Sequence, residues 1–276
     1  MARVLVIGRN GMLARALRRI LALHGHAVRS IGQADHDVRR RGAGFDLSGV
    51  DAVVNAAGLI NRRLCGERTV EDAYLVNSLF PRLLADHCQA AGVACIHIST
   101  DCVFDGTKGP RMESEPPDAI DLYGRTKALG EPANALVLRT SIIGPETHHG
   151  DSLLCWFFAQ KMFCEGYDNH LWNGVTTLEL GCIVSLLLDR KTQSSGIRHV
   201  IGETLTKRQI LEAFKRAFGL KIEIRPTSKG PQRDMRLGSE FPAFLDSLAV
   251  RHLAEQLADI EPLIDARGFW RADVTP

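Results

Sequence analysis

The N-terminal segment constrains the fold more than any other part of the chain. Ala2 to Ile7 is a short apolar run rich in β-branched residues, the pattern of a strand buried on both faces of a parallel sheet. Gly8-Arg9-Asn10-Gly11-Met12-Leu13-Ala14 follows at once and leads into a helical segment that runs to about Leu23, with Gly25 as its stop. A strand that ends in a glycine turn and feeds a helix is the opening unit of a doubly wound α/β fold.

The chain then keeps alternating. Ala27 to Ile31 is a weaker strand, Asp51 to Gly58 a buried strand ending in small residues, Val93 to Ser99 a fourth strand and Ala135 to Thr140 a fifth. Helical spacing covers Val70 to Ala91, and another helix opens at Tyr123. Asp35 to Gly44 and Gly106 to Asp118 read as loops. The predicted class is α/β: a Rossmann-type doubly wound parallel sheet with helices on both faces. Beyond Gly144 the pattern is less regular. Helices are expected over Leu153–Phe163, Leu178–Leu188, Ile210–Phe218 and Leu245–Leu257, with a strand-like Lys221–Ile224. The expected division is a nucleotide-binding Rossmann domain over residues 1–145 and a smaller C-terminal lobe, mainly for substrate, over 146–276, from which some segments can return to the sheet.

Composition excludes several function classes. A net charge of +2 points away from nucleic acid. Arg39-Arg40-Arg41 is a short basic run, read as a solvated loop. Seven cysteines, an odd number with no Cys-x-x-Cys pair, argue against a disulfide framework or a zinc site and fit reduced thiols in the cytosol. No histidine cluster has metal-ligand spacing, and His148-His149 reads as an exposed loop pair, so no metal is expected. No signal peptide or membrane-spanning run is evident, which makes a cytoplasmic location without membrane association the expectation.

Several motifs carry chemistry. In the first loop Gly8 permits the sharp turn, Gly11 a close backbone approach to a pyrophosphate and Ala14 tight helix–strand packing; Arg9, Asn10, Met12 and Leu13 complete the candidate cofactor loop. The spacing is Gly-x-x-Gly-x-x-Ala rather than Gly-x-Gly-x-x-Gly. The second strand ends Val28-Arg29-Ser30-Ile31-Gly32 without the acid that binds a ribose 2′-OH, and Arg9 or Arg29 suits a 2′-phosphate. NADP (as NADPH) is therefore favoured, with NAD the other candidate. Asp46-Leu47 is a candidate for the adenine edge, or a turn cap. Ala56, Ala57 and Gly58 leave room for a ligand at a strand's carboxyl end. Ser99, Thr100 and Asp101 close the next strand with two hydroxyls and a carboxylate, suited to a cofactor or a substrate oxygen, or to capping a turn. Tyr123 and Lys127, four apart on one helix face, put an ammonium near a phenol whose pKa is otherwise about 10; the charge favours the phenolate.

Taken as a set and in this order, these motifs resemble the extended short-chain dehydrogenase/reductase superfamily. Ser99 to Thr107 (Ser-Thr-Asp-Cys-Val-Phe-Asp-Gly-Thr) is similar to the signature loop of the dTDP-4-dehydrorhamnose reductases, with Cys102 where those enzymes carry an aromatic. Leu122 to Glu131 and Leu138-Arg139-Thr140-Ser141 continue the likeness, which is strong to about residue 145 and weak after it. The resemblance implies NADPH-dependent reduction of a 4-keto group on a nucleotide-linked deoxysugar, in deoxysugar or cell-surface polysaccharide synthesis. Thr100, Tyr123 and Lys127 would be catalytic. Asn77, Ser99, Tyr123 and Lys127 would also touch the cofactor, with Asn77 supporting the lysine. Thr100 and Asp101 would hold the substrate, with Trp172 and Arg233 as further candidates and Trp156, Asn173-Gly174 and Arg236 beside them. Cys102 in place of a second acid points away from dehydration. The partner implied is a nucleotide sugar, and a homodimer is compatible. The alternatives are a non-catalytic NADP-binding regulatory subunit resembling that of methionine adenosyltransferase, or another extended short-chain reductase or epimerase.

Overall fold

A computed structural model describes residues 1–60, 69–147, 150–191 and 194–271. Its first half runs β1 (Arg3–Ile7), α1 (Met12–Leu23), β2 (Ala27–Ile31), the short α2 (Val38–Arg41), β3 (Ala52–Asn55), α3 (Val70–Tyr74), α4 (Phe80–Ala90), β4 (Ala94–Ile98), α5 (Leu122–Leu129) and β5 (Leu136–Arg139). A π-helical turn, Leu75–Leu79, joins α3 to α4. Caps explain where two of these helices start. The Thr69 hydroxyl and the Asp72 carboxylate satisfy each other's backbone N–H at 3.2 and 3.0 Å, a capping box that opens α3. Asp121 accepts from the Gly124 N–H at 2.9 Å and opens α5 beside Tyr123.

The second half adds β6 (Ile142–Ile143), α6 (Leu153–Phe158), β7 (Phe163–Tyr167), β8 (His170–Trp172), β9 (Val175–Thr176), α7 (Thr177–Asp189), β10 (Gly196–His199), β11 (Leu205–Thr206), α8 (Lys207–Ala217), β12 (Glu223–Thr227), β13 (Arg233–Asp234), α9 (Pro242–Leu248) and α10 (Leu253–Ile260). The main sheet has six strands, all parallel, in the order β10-β5-β4-β3-β1-β2. The order reverses at β1, so a crevice opens where β1 and β3 end, the position at which open α/β sheets take their ligands.

Alternation along β1 feeds two cores. Val4 and Val6 join Leu17, Leu21 and, from α7, Leu180 and Val184 on one face. Leu5 and Ile7 meet Phe80, Leu84 and Cys88 of α4 on the other. The later residues build a third core around Leu154, Phe157, Ile210, Phe214 and Leu257. They also return to the sheet, since β10 pairs with β5 and α7 packs on α1.

Several boundaries differ from the sequence reading. The expected loop Asp35–Gly44 contains α2, capped by Asp37, which accepts from Arg39 N at 3.1 Å. The helix expected over Leu153–Phe163 stops at Phe158, and Phe163 starts β7 instead. The single helix expected over Leu245–Leu257 is broken into α9 and α10 at Ala249, whose φ of 48° is left-handed. Cys65, His148 and His149 lie outside the described residues.

Gly130 closes α5 against the π-helical turn, where a Cβ would overlap the Asn77 carbonyl. Gly130→Ala is expected to destabilise the protein by about 3 kcal/mol, by forcing the two helices apart. Urea unfolding measures this; a midpoint equal to the parent's would contradict the close approach.

Candidate active site

The first cavity sits at the ends of β1, β2 and β3 and is lined by Gly8, Asn10, Gly11, Met12, Ala56, Ala57 and Gly58 among others. Gly8 has φ 102°, and a Cβ on it would lie 2.9 Å from Ala57 N and 3.0 Å from Ala56 O, so the turn and the exit from β3 touch backbone to backbone. Gly11 donates to Gly8 O at 2.7 Å, and a Cβ there would stand 3.2 Å from that same oxygen. Helix α1 begins next, with no side chain capping its N-terminus and no acid in its first turn. Its amides and dipole are therefore offered to the cavity, which fits the pyrophosphate of a dinucleotide. Leu13 serves this loop through its backbone alone, because its side chain is in the core.

The arginines around this cavity behave differently from the sequence expectation. Arg9 pairs with Asp35 at 2.5 Å, and Asp35 also accepts from Gly32 N at 2.8 Å, which holds its carboxyl below the usual range. An acid missing from the strand end in sequence is thus folded back to it from the following loop. Arg29 points elsewhere and donates to Asp46 O at 2.7 Å. Asp46 and Leu47 must be corrected as adenine contacts. They precede β3 and line a separate cavity with Arg3 and Val93, at the amino ends of the strands, whereas the first cavity is at the carboxyl ends. Arg39 lines the first cavity, half-buried between Asp37 (3.0 and 2.7 Å) and Asp72 (3.0 Å). The basic run hid it; the Asp37 cap two residues earlier was the signal that this segment is helical.

Thr100, Asp101 and Tyr123 come together beyond β4 and at the start of α5, and Lys127 follows on the same helix. The Thr100 hydroxyl neighbours the Tyr123 phenol as a hydrogen-bond partner, donates to Asp101 Oδ1 at 3.1 Å and accepts from Cys102 N at 3.2 Å. Burial pushes Asp101 up to about 6, against the hydrogen bonds it receives from Thr100, Ser141 and Cys102. Burial likewise pushes the Tyr123 phenol up, with Cys102 and Asp101 adding to the rise and Thr100 opposing it. Lys127 is pushed down to about 8, first by burial, with Glu131 opposing. Its ammonium turns to the sheet: Nζ donates to Ile98 O at 2.7 Å and lies 3.4 Å from His97 Nε2. The expectation that Lys127 lowers the tyrosine pKa gives way here to desolvation, which dominates the phenol, while the Lys127 ammonium is turned to the Ile98 carbonyl.

Two other expected cofactor residues act as scaffold. Ser99 donates to Glu131 at 2.6 Å, and Glu131 holds the fully buried Arg139 at 2.8 and 2.6 Å. Asn77 is fully buried; it exchanges hydrogen bonds with the Leu59 backbone (2.8 and 2.9 Å) and donates to Thr126 Oγ1 at 3.0 Å, so it reaches Lys127 only through the neighbouring residue.

A second cavity opens on Tyr123 and is lined by Ser141, Trp156, Tyr167, Trp172 and Lys207 among others. Trp156 and Trp172 both line it. Asn173 does not; it is buried and tied to the Leu237 backbone at 2.8 and 3.0 Å. Arg233 is exposed on β13 and is not one of the cavity's lining residues, while Arg236 is taken up by Asp234 at 2.8 and 2.6 Å. Lys207, missed in sequence, stands 5.8 and 5.7 Å from the Trp156 and Tyr167 rings. The capping box Thr206-x-x-Gln209 was the signal that it opens a helix.

Residues 2–153 match the family described as RmlD substrate binding domain. The dTDP-4-dehydrorhamnose reductase of Mycolicibacterium smegmatis is 34% identical over 152 residues, 50% of this chain and 45% of that protein. The methionine adenosyltransferase 2 subunit beta of Xenopus tropicalis is 30% identical over 181 residues, 60% of this chain and 54% of that one. The alignments thus span about half the length of such curated relatives. Among solved structures, the dTDP-4-dehydrorhamnose reductase of Bacillus anthracis in complex with NADP superposes with a TM-score of 0.77 at 18% identity, over 94% of this chain and 98% of that one, a likeness of fold.

Asp101 makes stability depend on pH. Its folded pKa of about 6 exceeds the ordinary 3.8, so the native state binds the extra proton between those values and stability is lost as pH rises through about 6. Asp101→Asn removes that loss. The variant should exceed the parent by about 2–3 kcal/mol at pH 8 and converge with it below about pH 4, on urea unfolding at both pH values. Equal stability at pH 8 would contradict a buried, unfavourably placed carboxylate.

Proposed function

We propose, from the premise that the chain belongs to the RmlD substrate binding domain family, that it is an NADPH-dependent reductase of a 4-keto group on a nucleotide-linked deoxysugar. The observation that carries the reading is the Thr100–Tyr123 pair, with Tyr123 lining the second cavity, in a chain that also offers the uncapped start of α1 and its glycine cradle to the first. In this reading residues 1–145 hold mainly the cofactor and residues 146–276 mainly the sugar nucleotide.

The roles follow from the chemistry of each group. Gly8, Gly11 and the first amides of α1 bind the pyrophosphate, and Ala56 to Gly58 leave room beside it. When bound, the nicotinamide supplies the hydride. Tyr123, kept protonated by its surroundings, is in the form that a reduction needs, and it gives its proton to the ketone oxygen. Thr100, on giving up its bond to Asp101, donates a hydrogen bond to the same oxygen as charge develops there. Trp156 and Trp172 shape the wall for the sugar nucleotide, and Lys207 offers a cation to its diphosphate. Arg9 meets a 2′-phosphate only by giving up Asp35, so NADPH is preferred over NADH to the extent that this exchange is favourable.

A second reading, a regulatory subunit that binds NADP without turnover, is favoured by the likeness to the methionine adenosyltransferase subunit. The presence of Thr100, Tyr123 and Lys127 together weighs against it.

Tyr123→Phe should lower turnover of a nucleotide-linked 4-ketosugar by about 100-fold or more while NADPH affinity, read by nicotinamide fluorescence, stays within about twofold. Turnover close to the parent's would remove Tyr123 as the proton donor. No turnover by the parent on any such sugar, with a second enzyme co-purifying, would favour the regulatory reading.

A further inference from the structure

Behind Lys127 runs a buried polar chain that neither the cofactor nor the substrate assignment uses. It starts at the exit from β3, where Ala57 N donates to Asn55 Oδ1 at 3.1 Å. Asn55 Nδ2 lies 3.1 Å from His97 Nδ1, and His97 Nε2 lies 3.4 Å from Lys127 Nζ. Asn55, His97 and Lys127 are all buried, at 0, 1 and 3% exposure, so each donor must face an acceptor within the chain itself.

Counting donors settles its direction. The Ala57 N–H can only donate, so it fixes the Asn55 carbonyl towards itself and turns the Asn55 amide N–H₂ towards His97. His97 Nδ1 must then accept, which leaves the proton of the neutral ring on Nε2. That N–H faces Lys127 Nζ, which already donates to Ile98 O at 2.7 Å. A donor facing an ammonium disfavours the charged lysine; a donor facing a neutral amine makes a hydrogen bond.

We propose that Asn55 and His97 are positioning residues for Lys127: the Ala57 amide orients Asn55, Asn55 selects the Nε2–H tautomer of His97, and His97 presents that N–H to the lysine, favouring its neutral form. The surroundings agree. Burial lowers Lys127, and burial followed by the Lys127 charge lowers His97, so both ring and amine are moved towards the neutral form. The opposing charge is Glu131, which raises Lys127, but its carboxylate is occupied by Arg139 and Ser99. Tyr123, on the same helix, is held protonated and adds no charge. The chain also ties Lys127 to the Ala56–Gly58 wall of the first cavity, so a ligand that shifts that wall acts on the lysine.

The consequence for catalysis rests on the reductase reading: the alkaline limb of turnover would follow Lys127. The test itself does not, because it uses cofactor-free protein. Nitrogen-15 spectra of the His97 ring should show protonated Nε2 and bare Nδ1. Labelled lysine should show Lys127 titrating well below an ordinary lysine. Asn55→Asp keeps the bond from Ala57 and supplies a carboxylate oxygen that must accept from His97, so it should invert the tautomer and raise the Lys127 midpoint by about one pH unit or more, a tenfold change in proton affinity. His97→Gln, whose carbonyl is free to accept from an ammonium, should raise that midpoint as well and serves if the first variant does not fold. A purely structural role for the chain would leave the midpoint in place. Protonated Nδ1 in the parent, or the same Lys127 midpoint in parent and variant, would overturn the proposal. Failure of every nucleotide sugar to react would sink the reductase reading and leave this result standing.

Discussion

The arrangement depends on one backbone contact, Gly8 against Ala56 and Ala57. A parallel sheet whose order reverses at β1 leaves a crevice between the ends of β1 and β3, but the crevice serves a flat, charged ligand only if the turn lies close to the neighbouring strand. Gly8, with no Cβ and a positive φ, allows that approach. The turn is then pinned by the Ile31 carbonyl, which accepts from Gly8 N and Arg9 N at 2.9 and 3.1 Å. With the loop in place, α1 starts at the cavity wall, and the hydrophobic faces of α1 and α7 lock the unit to the sheet.

Desolvation dominates what happens next to that cradle. Asp101, Tyr123 and Lys127 are each moved by burial towards the neutral form, the acids up and the amine down. A site built this way holds its acids and its amine closer to neutrality than water would. Its polar groups are spent on one another through Thr100, Ile98 O and the His97 ring, and the large compensated ion pair, Arg139 with Glu131, sits behind them as scaffold. Hydroxyls and a protonated phenol facing a cavity suit a reaction in which negative charge appears on a substrate oxygen during the step itself.

Much of this was legible in sequence, for identifiable reasons. Fold class followed from short, buried apolar runs alternating with helices, and the cradle from Gly8, Gly11 and Ala14. Tyr123, with Thr100 as its hydrogen-bond neighbour, and Trp172 line one cavity or adjoin its lining. The failures share a cause: side-chain direction and chain return are three-dimensional. Asp46-Leu47 was a candidate for the adenine edge, yet no strand of the described chain lies between α2 and β3 to carry it to the carboxyl edge. Asp35 is in a loop that doubles back, so its pairing with Arg9 leaves no local trace. Lys127 shares a face with Tyr123 but is long enough to turn into the sheet. Ser99 and Asn77 were matched to a ligand-binding pattern although their partners, Glu131 and Leu59, are distant in sequence.

The central claim is that this crevice and this phenol act together on a sugar ketone. Its most direct measurement is isotope transfer: incubate the protein with NADPH deuterated at the nicotinamide hydride position and a nucleotide-linked 4-keto-deoxysugar, then locate the label by mass spectrometry and NMR. The account predicts one deuterium at C4 of the sugar, now an alcohol, with oxidised NADP as coproduct. Unlabelled sugar recovered as the ketone, from protein shown to bind NADPH, would contradict it.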